Sequence, residues 1–219
     1  MIKNFELIDN SMFSVNLSDG CFADIVVYGQ RLNCGKVSLF AVKLRDKNGC
    51  GKVISAEDCR FIGFDGVLAK YTCDDVDVAV RLSLPSDNSA LSLRMDVTNK
   101  THLLVEWVEL MSVCVGGKLR DEANGTGARV SPFNAGGLVT NMAFRESMPY
   151  RYDEPQYPSN SGYSIFPNMI CSQFLAYVSK IRGLYLGMHD HERTTKHIDF
   201  RYCNGNIKLQ MRTLCNVDY

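Results

Sequence analysis

The sequence predicts an all-β protein of antiparallel strands in two stacked sheets. Three observations predict it. Several runs alternate apolar and polar residues, turn-forming dipeptides separate those runs, and no stretch keeps a 3.6-residue apolar period over three turns.

In Val76–Leu84, "VDVAVRLSL", Val76, Val78, Val80, Leu82 and Leu84 point one way, and Asp77, Arg81 and Ser83 point the other. The same period recurs at Leu91, Leu93, Met95 and Val97, and again at Ile207, Leu209 and Met211. Strands with one polar face belong to antiparallel sheets that are wet on one side. Asn48-Gly49, Asp65-Gly66 and Asn204-Gly205 fall between such runs and predict tight hairpins. Pro85–Ser89, "PSDNS", makes a looser connection. The segment "CSQFLAYVS" comes nearest to a helical pattern, yet it alternates well enough for a buried strand.

The run from Gly116 to Asn168 breaks the rhythm. It is rich in Gly, Asn, Pro, Arg and Tyr and has only short apolar stretches, Leu138–Thr140 among them. It reads as a long crossover whose aromatics either pin it to the sheets or face a ligand. No linker divides the chain, so residues 1–219 are expected to form one domain.

Composition narrows the function. Of the 219 residues, 46% are hydrophobic and 22% charged, enough to bury a sizeable core. Lys plus Arg equals Asp plus Glu at 24 each, and the signs alternate along the chain, so no basic stripe suits nucleic acid. No window approaches the ~18 apolar residues of a membrane helix, and "MIKNFELIDNSM" lacks the apolar region of a secretory leader. Nine scattered cysteines without a CxxC pair read as reduced, mostly buried thiols of a cytoplasmic protein. The sequons at Asn16, Asn99 and Asn124 would matter only in a secreted glycoprotein.

Two nucleotide motifs fail. Around Gly116-Gly117-Lys118, a phosphate loop would need glycine where Ser112 stands and Ser or Thr where Leu119 stands. In "NGTGARV", Val130 replaces the last glycine of a dinucleotide fingerprint, and no βαβ unit surrounds it. No cofactor is therefore expected.

The richest stretch in chemistry is Gly183–Phe200, "GLYLGMHDHERTTKHIDF", with three of the four histidines beside Asp190, Glu192 and Asp199. If the strand runs straight, Tyr185, Gly187, His189 and His191 share a face, and Leu184, Leu186 and Met188 share the other. Two imidazoles at i and i+2 could bind a metal with a third ligand from His197 or Asp199. The charged "HDHER" reads instead as a strand running out into a polar loop, which breaks that spacing; no metal is expected.

Three blocks in order carry a family resemblance: "VAVRLSLPSDNSALSLRMDVTNKTHLLVEWVEL", "SPFNAGGLV" and "YPSNSGYSIFPNMICSQFLAYVSKIRGLYLGMHDHE". Over about two-thirds of its length the chain resembles the N-terminal, galactose-mutarotase-like β-supersandwich of a poorly characterised family of bacterial glycoside-hydrolase-like proteins. The most specific part is a Gln-Phe pair followed by GGLYxGxHDxE. It is met here by Gln173 and Phe174, then Gly183, Leu184, Tyr185, Gly187, His189, Asp190 and Glu192. His191 departs from an expected proline, and Arg182 from the first glycine.

The resemblance implies a non-catalytic domain that packs on a following (β/α)₈ barrel and contacts carbohydrate. Gln173, Tyr177, His189, Asp190 and Glu192 are the candidate sugar-contacting residues, and the sheet face meant for the barrel would favour homodimers. On this fold a stand-alone mutarotase or epimerase is the enzymatic alternative, with His189 and Glu192 as acid and base; only Asp218 lies late in the chain where such enzymes keep their glutamate. A purely structural interaction domain is the third reading.

Overall fold

The strand Val76–Ser83 shows how the pattern becomes a sheet. In the computed structural model Val76, Val78, Val80 and Leu82 are all within 2% of complete burial, while Asp77, Arg81 and Ser83 are exposed. The structure describes residues 5–9, 13–18, 21–27, 30–32, 34–35, 37–84, 90–115, 128–133, 136–141, 165–166, 174–178, 183–189, 194–203 and 206–215. Among them are twenty strands, one 3-10 turn and no α-helix. The expected all-β antiparallel architecture is what is seen. No helix is long and apolar enough to cross a membrane among the described residues.

The chain divides into two units, residues 1–112 with 215–219, and residues 113–214. The first carries β1 (Phe5–Asp9), β2 (Phe13–Ser18), β3 (Cys21–Val27), β4 (Gln30–Arg31), β5 (Val37–Ser38), β6 (Phe40–Arg45), β7 (Gly51–Ser55), β8 (Arg60–Phe64), β9 (Leu68–Thr72), β10 (Val76–Ser83), β11 (Ser92–Asn99) and β12 (Leu104–Leu110). The second carries β13 (Val113–Val115), β14 (Ala128–Phe133), β15 (Gly136–Asn141), β16 (Ile165–Phe166), β17 (Phe174–Val178), β18 (Gly183–Gly187), β19 (Lys196–Cys203) and β20 (Asn206–Leu214).

In the first unit, β1 to β4 form a meander, with β5 also paired to β3. A second sheet runs β11-β10-β9-β8, and β12, β6 and β7 are neighbours in a third. The last two sheets meet through Phe40 on β6 and Tyr71 on β9, whose rings lie edge to face at 5.0 Å. Phe61 adds a tilted ring 5.4 Å from Tyr71. Register puts Tyr71 opposite Val78, and Ala69 opposite Val80, so one sheet face is a continuous apolar surface. Phe40, Val42 and Leu44 supply the facing surface from β6, all at most 1% exposed.

Two of the expected hairpin turns are fully described. Between β6 and β7, Gly49 takes φ +82°, and the Asp46 carboxylate accepts the Asn48 and Cys50 N–H groups at 2.9 Å each. Between β8 and β9, Gly66 takes φ +97°, and Asp65 accepts the N–H groups of Val67 (3.0 Å) and Leu68 (2.8 Å). Positive φ is what glycine supplies at these positions. Asn204 and Gly205 lie outside the described residues, but Cys203 pairs with Asn206, as a two-residue hairpin requires.

Strand β12 departs from simple alternation. Its register to β6 slips between Val105 and Trp107, so Glu106 is the extra residue of a bulge and both Glu106 and Trp107 are buried. The Glu106 carboxylate is matched by Lys43 Nζ at 3.1 Å and Arg45 Nε at 3.6 Å. Those two side chains come from the β6 face opposite Val42 and Leu44, which keeps the charges away from the aromatic core.

The second unit pairs β16 with β19, β19 with β20, and β13 with β20. Its other sheet runs β15-β14-β17-β18. This corrects the reading of residues 116–168 as a strandless crossover, because β14 and β15 form a hairpin there. Pro132 and the paired glycines Gly136 and Gly137 hide its alternation, and Pro132 falls beyond the stretch that pairs with β17. "PSDNS" and residues 142–164 lie outside the described residues. The "CSQFLAYVS" segment supplies β17, as its alternation predicts.

Hydrogen-bonded carboxylates at the β8–β9 turn and on β10 make stability pH-dependent. Hydrogen bonds from the Leu68 and Val67 backbone hold the Asp65 carboxyl below its ordinary range, and those from Thr72 and Lys100 do the same for Asp77. A depressed folded-state pKa gives stability that is present above the unfolded value, ~4, and is lost as pH falls through the folded value. The urea midpoint should therefore hold steady above about pH 5 and drop as the pH falls from there through the lowered folded-state values. Asp65→Asn, which keeps the acceptor but cannot titrate, should show a shallower drop; an identical slope would remove Asp65 from the account.

Candidate functional site

The candidate surface is built on the hairpin of β17 and β18, where Phe174 pairs with Gly187, Ala176 with Tyr185 and Tyr177 with Leu184. Along β18 the side chains alternate: Leu186 is buried at 6%, whereas Tyr185 is 56% exposed. The strand ends at Gly187, and His189, two residues on, is still on the Tyr185 side and exposed. The one-face alignment of Tyr185, Gly187 and His189 thus persists past the last strand residue.

Three rings come together there. Phe174 and Tyr185 lie 5.4 Å apart with planes 27° from parallel, and Tyr185 and His189 lie 6.3 Å apart with planes 16° from parallel. The second separation is well beyond the ~3.5–4 Å of atoms in face contact. Tyr185 Oη also sits 3.3 Å from His189 Nε2, so the two near-parallel rings meet at their polar ends as one aromatic strip. Gly187 is the floor: an added Cβ would come within 2.5 Å of His189 Nε2 and 2.7 Å of Tyr185 Oη. Glycine is needed here for space, since both rings lean across its backbone.

Chemically the strip offers aromatic area, one phenolic hydroxyl and one imidazole. Tyr185 and His189 share a hydrogen bond whose direction follows the imidazole tautomer. His197, considered above as a further metal ligand, is a buried residue of β19, opposite Arg212 and Ile165. No group of three or more His, Cys, Asp or Glu residues able to hold a metal occurs among the described residues.

Of the five candidate sugar contacts, His189 is in the strip. Tyr177 occupies β17, one register position from the Ala176–Tyr185 pair. Gln173, Asp190 and Glu192 lie outside the described residues, as does His191. Tyr185 is the residue that the sequence reading did not choose as a contact. Its signal was present in the i, i+2, i+4 series Tyr185, Gly187, His189, which places an aromatic, a gap and an imidazole in a row. The cysteines also need correction: Cys34, Cys50 and Cys215 are exposed and Cys59, Cys73 and Cys114 half-buried, so none of these six is a buried core thiol. Cys34, Cys50, Cys59, Cys73 and Cys215 lie outside the strands, and Cys114 is the middle residue of the short strand β13.

No protein-family model matches the chain, and no curated protein matches it at a significant level.

Gly187→Ala should separate the Tyr185 and His189 rings. The atoms in the way are the ends of exposed side chains, so stability should change by no more than about 1 kcal/mol. NMR of the His189 imidazole, assigned with His189→Gln, should show altered ring shifts in the alanine variant. Unchanged shifts would contradict the packing described.

Proposed function

We propose that this chain is a non-catalytic, carbohydrate-contacting β-sandwich of the galactose-mutarotase-like kind, serving a glycoside-hydrolase barrel. The observation that carries the reading is the exposed Tyr185–His189 strip on the β17–β18 hairpin, backed by Phe174. A pyranose ring presents flat patches of C–H groups edged by hydroxyls. An exposed tyrosine ring covers such a patch, while its hydroxyl and a neighbouring imidazole meet the edge.

Sequence position supports the same reading. Gln173 adjoins Phe174, and Asp190 and Glu192 follow His189, so planar polar groups flank the strip along the chain. These residues also carry the family resemblance. A cytoplasmic setting belongs to this reading, in keeping with Cys34, Cys50, Cys59, Cys73, Cys114 and Cys215 being thiols rather than disulfides.

Titration calorimetry against a panel of neutral oligosaccharides tests it. At least one glycan should bind, and Tyr185→Ala should weaken it about tenfold, the loss expected for an aromatic contact worth ~1.4 kcal/mol. His189→Ala should weaken it by a smaller factor. Unchanged affinity in Tyr185→Ala, or no heat from any glycan, would overturn the proposal.

A further inference from the structure

A second chemically equipped place lies in the first unit, at the end of the β8–β9 hairpin away from the Asp65-Gly66 turn. Arg60 pairs with Thr72 as the last rung of that ladder. The next residue outward on each strand is a cysteine, Cys59 before β8 and Cys73 after β9, so the two face each other across the hairpin. Neither backbone N–H is given to the other: Cys59 N–H goes to Ala56 O at 3.3 Å and Cys73 N–H to Val76 O at 3.0 Å. That is the condition of a non-hydrogen-bonded cross-strand pair, whose Cα atoms stand about 4.5 Å apart, inside the ~4.4–6.8 Å range that a disulfide spans.

The two thiols already interact. Burial pushes the Cys59 thiol up to about 12, and the neighbouring Cys73 adds to that rise. The Cys73 thiol donates in turn to Val76 O at 3.6 Å. Lys100 acts electrostatically on both sulfurs, and it is held in place by Asp77 Oδ1 at 2.9 Å and Thr72 Oγ1 at 3.3 Å. Both cysteines are half-buried, so a small oxidant has access.

We propose that Cys59 and Cys73 form a dithiol redox site that a low-molecular-weight disulfide oxidises to an intramolecular cross-strand disulfide. Cys73 attacks first, because Cys59 is the thiol that burial holds protonated. Cys73 gives its proton to solvent, and its sulfur bonds to one sulfur of the external disulfide and expels the other as a thiolate, which takes up a proton. Cys59 then loses its proton and attacks the Cys73 sulfur of the mixed disulfide, releasing the second small thiol. Two protein thiols are oxidised by two electrons, and one external disulfide is reduced to two thiols.

The test is incubation of the purified chain with oxidised glutathione, alkylation of remaining thiols and peptide mapping by mass spectrometry. A peptide pair joined through Cys59 and Cys73 should dominate, while the exposed Cys34, Cys50 and Cys215 carry glutathione mixed disulfides or remain alkylatable. Cys59→Ser should trap glutathione on Cys73. The proposal is overturned if Cys59 and Cys73 stay alkylatable after the exposed cysteines have reacted, if either keeps a stable glutathione adduct in the unmutated chain, or if either joins another cysteine instead. The map of the unmutated chain decides the matter even if the serine variant does not fold.

Discussion

The edge-to-face contact between Phe40 and Tyr71 is the interaction on which the first unit depends. Buried apolar residues of β6 and of the β8–β11 sheet continue from it: Val42 and Leu44 extend the Phe40 side, and Ala69, Val78 and Val80 extend the Tyr71 side. Fully burying each of these large side chains is worth about 1.5–3 kcal/mol, and the geometry of an aromatic pair adds ~0.5–1.5 kcal/mol. The bulge at Glu106 follows from the same constraint. A charge on β12 must find partners off the aromatic face, and Lys43 and Arg45 stand on the other face of β6.

On the second unit a different constraint governs the candidate site. A half-buried hairpin must put alternate residues outward, and a glycine at one outward position lets its two neighbours close over the gap. Tyr185 and His189 therefore form an aromatic strip without any loop being specially shaped for it. Such a strip is open to solvent, with Tyr185 56% exposed and His189 exposed beside it.

How much of this could be read in the sequence depended on how local the cause was. The alternation of Val76–Leu82 and the turns at Asn48-Gly49 and Asp65-Gly66 were legible because a two-residue period and a positive φ are properties of neighbouring residues. The bulge at Glu106, the burial of Gln210 beside Met211 and the hairpin around Pro132 were not, since each depends on what lies across the ladder. At the site, the resemblance points to His189 as a contact and leaves out Tyr185, although the two lie in one row. The facing of Cys59 and Cys73 was equally hidden, because thirteen residues and a register bulge separate them in the chain.

A double-mutant cycle at Phe40 and Tyr71 tests the central claim most directly. Phe40→Leu, Tyr71→Leu and the double variant would be unfolded in urea under one set of conditions. If the two rings join the sheets as described, the double variant should be less destabilised than the sum of the single ones, by about 0.5–1.5 kcal/mol. Additivity within ~0.3–0.5 kcal/mol would show two independent core residues, and would contradict a sandwich organised around their contact.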